Sequence, residues 1–319
     1  MKILALVPGG IGDQVLFFPT LDDLKRNYPE AAIDVIVEPR SLGAYRICQS
    51  VSEVIKFDYK SRNGMADFGN LLGIIRDQEY DIVLSLGRRW AIGFLLWMSG
   101  IPRRIGYDAN AGKNFFTDPV PLNQDQYAAA MYHDLLKGLG INSPCPAITA
   151  NIPKADMDWA AAKQKELEIT GGYVAIHGGS SRLAQTQGIN KIYPVQQWQK
   201  IIQDIHAKQP ALPIVLLAGP EDQSWISQML QSSADIKVVA PGNIGQLAAI
   251  VAGAKLMLCT DSAPMHVSVA VGTYTIALFG PTPAQKLLPQ SDRFIGIQSA
   301  TGSIADISPA QILEQIWRG

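Results

Sequence analysis

The residues best equipped for chemistry sit in two short stretches. "GGIGD" (9–13) sets Asp13 directly behind glycines that follow an apolar run, and "TDSAPMH" (260–266) sets Asp261, Ser262 and His266 behind another. A glycine loop after a strand ordinarily cradles phosphate, because its bare backbone N–H groups approach closely. Asp13 puts a negative charge where that anion would sit. Two readings follow. The carboxylate can cap the next helix, accepting a backbone N–H two or three residues on, or it can act as a general base at the helix N-terminus. The two compete, since a capped carboxylate has a lowered pKa and is a weaker base.

Read as a dinucleotide fingerprint, Gly10 and Gly12 supply G-x-G, but Val15 stands at the third glycine position. Glu38 ends the second apolar run, where a ribose-binding acid would lie. Asp13 would repel a pyrophosphate at the helix start, which argues against a nicotinamide cofactor.

In the second stretch the chain turns at Asp261 and Ser262 into a helix carrying His266. Free N–H groups and the positive dipole end at such a start suit a diphosphate, with Ser262 and the amides of 263–265 as contacts. The plainer alternative makes Asp261 and Ser262 capping residues and His266 a packed core histidine. Asp156-Met157-Asp158 is a D-x-D, but at a predicted helix start, where acids favour the dipole. His133, His177, His206 and His266 lack ligand spacing. No metal and no cofactor are expected.

These residues need elements to hold them. Apolar runs at 2–7, 33–37, 54–57, 81–86 and 103–107 alternate with helical stretches at 13–27, 41–49, 66–78, 90–99 and 126–139. Such alternation implies parallel βαβ units. "SPCPAITANIPK" (143–154) breaks the pattern with three prolines and reads as a junction. The pattern then restarts: strands at 173–178, 213–219, 236–240, 255–260 and 274–280, with helices at 156–168, 194–208, 222–232, 244–253, from about 264, and 308–318. The boundaries give a domain over 1–152 and another over 153–319, with the C-terminal helix free to pack back on the first. Two doubly wound halves would face a central cleft, with ligands outside the carboxyl ends of the strands.

Composition bounds the rest. A chain of 319 residues suits two domains, and a net charge of −1 excludes nucleic-acid binding by bulk electrostatics. Cys48, Cys145 and Cys259 are odd in number and lack metal spacing, as expected in a reducing cytosol. No signal peptide is expected from "MKILALVPGG". The apolar run "WAIGFLLWMSGI" (90–101) is about half a bilayer span and reads as a buried helix, or else as a surface touching lipid.

"GGIGD", "DSAPMH" and "ALFGPTPA", in that order, resemble glycosyltransferase family 9, the ADP-heptose:lipopolysaccharide heptosyltransferases. "HGGSSRLAQTQGINKIYPVQQW" (177–198), "RRIGYD" and the acid after "LAG" fit as well, so the resemblance spans essentially the whole chain. It implies the GT-B fold, with two Rossmann-like domains. It also implies a cytoplasmic, inverting, metal-independent transferase, with peripheral contact at the inner membrane. The nucleotide-sugar donor, ADP-linked, belongs to the second domain and a glycan or glycolipid acceptor to the first.

Asp13 is then the catalytic base, and Lys191 neutralises the departing diphosphate. Thr186, Gln187, Asp261, Ser262, Ala263 and His266 line the donor, and Glu221 holds the ribose with Asp222 as its rival. Gly10, Gly12, Arg88, Arg89, Arg103 and Arg104 form the acceptor side, where arginine suits phosphates and carboxylates; a solvated basic rim is the alternative. Ala263 replaces the family's glycine and Tyr274 its proline, which bears on donor identity. Rival readings are a GT-B sugar-nucleotide epimerase, a nicotinamide oxidoreductase and a non-catalytic nucleotide-sugar-binding protein.

Overall fold

The first strand, β1 (Lys2–Val7), is buried along its whole apolar run from Ile3 to Val7. A strand without a polar face must be covered on both sides, which is the signature of a parallel sheet flanked by helices. The computed structural model describes residues 1–59, 64–109, 111–179, 190–231 and 235–318. It divides into two units, Met1–Ile148 and Thr149–Gly319.

In the first unit β1 leads into α1 (Ile11–Asn27), then β2 (Ala32–Val37), a 3-10 stretch (Pro39–Ile47) and β3 (Glu53–Lys56). After these come α2 (Met65–Asp77), β4 (Ile82–Ser85), α3 (Trp90–Ser99), β5 (Arg103–Tyr107), β6 (Asp118–Val120) and α4 (Ala128–His133). The strands pair in parallel in the order β3-β2-β1-β4-β5-β6. Leu4, Leu6, Ile36 and Val83 form a core with Leu71 and Ile75 of α2 and Leu95 and Leu96 of α3.

The second unit repeats the plan. It runs α5 (Lys154–Glu166), β7 (Val174–His177), α6 (Val195–Lys208), β8 (Ile214–Leu217), α7 (Gln223–Leu230) and β9 (Lys237–Val239). Then follow α8 (Ile244–Ala252), β10 (Leu256–Thr260), α9 (Ala263–Ala270), β11 (Thr275–Phe279), the short α10 (Ala284–Leu287), β12 (Phe294–Gln298) and α11 (Pro309–Arg318). Its order, β12-β11-β10-β7-β8-β9, is the same winding when each unit is counted from its own first strand. Strand for strand the two sheets therefore offer topologically equivalent loops.

Several expectations change. The helix read at 41–49 is the 3-10 stretch, and the helix read at 126–139 divides into α4 and a 3-10 turn (Asp134–Leu139). The edge strands β6 and β12 were not expected. One has three residues including Pro119, and the other is interrupted by Gly296, so neither carries a strong strand signal. The closing helix packs on its own unit: Ile312 enters the second core, and Trp317 Nε1 donates to Asp204 Oδ1 at 2.8 Å. No helix among the described residues is long and apolar enough to cross a membrane.

Candidate functional site

Asp13 is the third residue of α1, with Gly10 as N-cap. It does not cap forward. The Gly10 N–H donates to Asp13 Oδ2 at 2.7 Å, so the carboxylate closes back on the loop that precedes the helix. Gly10 has no side chain to answer it, which leaves half of a capping box. Gly9 makes this fold-back feasible. Its φ of +124° lies in glycine territory, and a Cβ there would collide with the Asp13 carboxylate.

Tyr132, at the end of α4, donates its hydroxyl to Asp13 Oδ1 at 3.1 Å. Burial pushes that hydroxyl well above its ordinary value, and the charge and hydrogen bond of Asp13 push it the same way. Tyr132 is thus a neutral donor. Each oxygen of Asp13 has one fixed hydrogen bond, and the half-buried group keeps lone pairs for a further proton. Gly12 lies in the same first turn of the helix.

Glu38 has another task than ribose binding. Its buried carboxylate accepts the Gly9 N–H at 3.2 Å and pairs with Arg40 at 2.7 Å, while Ser41 Oγ donates to the Gly9 carbonyl at 2.5 Å. The second strand's acid therefore braces the glycine loop.

The acceptor-side arginines separate into two pairs. Arg88 and Arg89 follow β4 at the carboxyl edge of the sheet, the edge that carries Asp13, and both are exposed. Arg103 and Arg104 open β5, and Arg103 pairs in register with Ile82 at the start of β4. Parallel strands begin at the opposite edge from where they end, so these two belong to the far rim. There Arg103 donates to the Gly138 carbonyl at 2.7 Å and Arg104 to the Phe115 carbonyl at 2.8 Å. Both guanidinium groups are thus engaged at that rim, at the edge opposite the one that carries Asp13.

In the second unit Lys191 and Asp261, 70 positions apart, meet at 2.5 Å. The backbone after Lys191 is pinned by Tyr193, whose ring meets Trp198 edge-on at 5.2 Å and whose hydroxyl donates to the Ile307 carbonyl at 2.7 Å. Asp261 follows β10, is buried, and also accepts from Thr282 Oγ1 at 2.6 Å. Thr282 comes from "FGPT", so that motif supports the acid. A cavity of about 920 Å³ lined by Gly280, Pro281, Gln298 and Ser299 includes neither Lys191 nor Asp261.

Ser262 is the N-cap of α9 by position, yet its hydroxyl makes no cap bond. It lies 3.1 Å from both His177 Nδ1 and the Thr260 carbonyl. His177 Nε2 in turn meets Asp222 Oδ2 at 3.2 Å, and the same oxygen accepts the Gly219 N–H at 2.7 Å. Burial pushes the Asp222 carboxyl up, but the hydrogen bond and charge of His177 and the Gly219 amide outweigh it and hold the group below its usual range. His177 thus stands between the Ser262 hydroxyl at Nδ1 and the Asp222 carboxylate at Nε2.

This arrangement trims the expected anion contacts. Pro264 has no N–H, and the Met265 N–H is spent on the Ser262 carbonyl at 3.1 Å. Of the three amides expected to bind phosphate, the Ala263 N–H remains as the candidate. His266 lies buried within α9, Glu221 is exposed in the turn after β8, and the buried Asp222 is committed to His177. Thr186 and Gln187 lie outside the described residues. Asp156 sits in the first turn of α5, where Asn243 Nδ2 reaches it at 3.5 Å.

Sequence reading missed Gly9, Tyr132, His177 and Thr282. His177 carried one usable signal, a histidine closing a fully apolar strand at a carboxyl edge. Tyr132, 119 positions from its partner, carried none.

The family model of glycosyltransferase family 9 (heptosyltransferase) matches residues 70–316. Lipopolysaccharide heptosyltransferase 3 of Escherichia coli is 26% identical over 300 residues, covering 89% of this chain and 85% of its own. Among solved structures, a glycosyl transferase family 9 protein from Veillonella parvula aligns with a TM-score of 0.85 at 20% identity, covering 99% of this chain and 96% of its own. The E. coli ADP-heptose lps heptosyltransferase II aligns at 0.82 and 20% identity, covering 100% and 98%. Such likeness at low identity shows the shared GT-B fold.

Proposed function

This chain belongs to glycosyltransferase family 9, and from that premise we propose an inverting, metal-independent transfer of heptose from ADP-heptose onto a lipid-linked lipopolysaccharide core. The named activities of the E. coli relatives support the donor and the acceptor class. The observation that carries the proposal is a charge reversal at one topological place. After the first strand of its sheet, the first unit presents Asp13 and the second presents Lys191.

In the proposed step, Asp13 takes the proton of the acceptor hydroxyl as its oxygen attacks the anomeric carbon. The new C–O bond forms as the bond to the diphosphate breaks on the opposite face. Nucleoside diphosphate leaves as a stable anion and needs charge neutralisation rather than a proton. Lys191 and the Ala263 N–H supply it without a metal ion. Lys191 must then turn from Asp261 toward the phosphates, with Thr282 still holding the acid. Glu221 receives the ribose. The acceptor's anionic groups meet Arg88 and Arg89, and the reaction runs at the cytoplasmic face of the inner membrane.

A thermal-shift panel of ADP, UDP, GDP and CMP tests the donor half. ADP should raise the midpoint most. A clear preference for UDP or GDP would take heptose out of the proposal, and product formed from ADP-heptose without acceptor would replace transfer with epimerisation.

A further inference from the structure

The outer face of α3 is unlike the surface around it. Trp90, Phe94, Trp97 and Met98 are 61%, 38%, 54% and 42% exposed, and their spacing of four, three and one puts them on one side of the helix. They touch one another: the Phe94 ring lies 6.2 Å from that of Trp90 and stacks on that of Trp97 at 5.8 Å. The inner face, with Ile92, Leu95 and Leu96, is already buried on the sheet. A helix apolar on both sides needs a second apolar neighbour.

The patch is braced rather than loose. Gly93 lets the Gly112 carbonyl approach so closely that a Cβ would sit 2.8 Å from it. That contact docks the 111–115 turn on α3 and places Phe115 against Phe94 at 5.6 Å and Trp97 at 6.4 Å. The turn also brings Lys113, exposed and paired at 3.0 Å with Asp108. The stretch from Ile82 to Tyr107 holds four arginines and no acid, and Asp108, which follows it, is paired with Lys113. Arg103 and Arg104 are engaged with backbone carbonyls at the far rim, while Arg88 and Arg89 stand exposed immediately before Trp90.

We infer that the face of α3 formed by Trp90, Phe94, Trp97 and Met98 docks on an anionic bilayer surface, with Arg88 and Arg89 at the lipid headgroups. Tryptophan beside exposed arginine matches the interfacial layer of a membrane, where an amphipathic ring and a cation are both satisfied. A helix of ten residues is too short to span and would lie in the plane of the headgroups. Position adds a reason. The patch starts at the carboxyl edge of the sheet, where the Leu86 N–H donates to the Leu6 carbonyl at 3.1 Å, beside the strand that leads to Asp13. A lipid-linked acceptor would thus pass from the bilayer over Arg88 and Arg89 toward the base. This inference rests on the lipid-linked acceptor proposed above.

Vesicle co-sedimentation of the full chain tests it. The comparison is phosphatidylcholine alone against phosphatidylcholine with about one third phosphatidylglycerol. The wild type should bind the anionic vesicles, weaken in high salt, and bind neutral vesicles poorly. Trp90→Ser with Trp97→Ser should lower binding at least ~10-fold while keeping the thermal midpoint and the ADP-induced shift. Trp97→Ser alone, a milder change at an exposed position, should give an intermediate loss. Equal vesicle binding by wild type and double variant overturns the inference, as does a wild type that ignores anionic vesicles. Sedimentation of the wild type as a dimer that the double variant converts to a monomer would assign the face to a second copy instead. An ADP shift without vesicle binding removes the docking face and leaves the transferase reading; vesicle binding without an ADP shift removes the donor.

Discussion

The two sheets share one winding but hold opposite charges at equivalent loops. After the first strand the amino-terminal unit carries Asp13 and the carboxy-terminal unit carries Lys191; after the fourth strand the pattern inverts, with Arg88 and Arg89 against Asp261. Their surroundings differ as much as their signs. Asp13 is held by neutral donors, a glycine amide and a tyrosine hydroxyl. Lys191 is held by a buried carboxylate that must compete with any incoming anion. Topology thus sets equivalent places in the two units, and in the proposed reaction the residue at each place decides whether a proton or a phosphate is handled there.

The contrast breaks most plainly at Asp13. Asp13→Ala should lower turnover at least ~10²-fold while ADP affinity stays unchanged. A variant with full turnover would end the base assignment, and one that lost ADP would end the division of labour between the units. Lys191→Ala comes next. Removing the cation leaves Asp261 facing the diphosphate, so calorimetry should find ADP bound ~10-fold or more weakly. Undiminished ADP affinity would take Lys191 away from the phosphates.

Gly9→Ala sharpens the first half of the contrast. The +124° φ and the crowding against Asp13 should cost about 1–3 kcal/mol in a denaturant titration. A neutral result would mean that the loop is not held by the fold-back. The smallest effect concerns acid. Asp222 titrates below its ordinary 3.8, so the stability it contributes is complete above that pH and drains away as pH falls through the lower native value. Asp222→Asn should flatten that acid limb of the midpoint-versus-pH curve. An unchanged limb would place the acid sensitivity elsewhere.

Much of the fold was legible because fully apolar runs such as "KILALV" and "YVAIHG" allow little besides buried parallel strands. Helices α1 and α6 announced themselves through glycine or proline starts and apolar spacing. The edge strands β6 and β12 escaped because they carry proline or glycine, whereas the edge strands β3 and β9 showed in their apolar runs. At the candidate site, Asp13 and Lys191 were singled out from local pattern together with family resemblance, and the proposed roles rest on them. Arg103 and Arg104 open a strand whereas Arg88 and Arg89 follow one, and a parallel sheet puts starts and ends on opposite rims, a distinction that local sequence does not display. Contacts such as Lys191 with Asp261, His177 with Ser262 and Tyr132 with Asp13 join residues 70 to 119 positions apart, and no local rule reaches that far.

The bond from Tyr193 to the Ile307 carbonyl spans 114 positions. On a ribosome the segment behind Lys191 therefore emerges long before its anchor is synthesised. The amino-terminal sheet can fold and seat its aspartate early, whereas the lysine's perch stays unfinished until the last part of the chain arrives. On the proposed reading, competence to hold a nucleotide would be acquired at the end of translation, and a chain truncated before Ile307 would carry its base without a place for the sugar's leaving group.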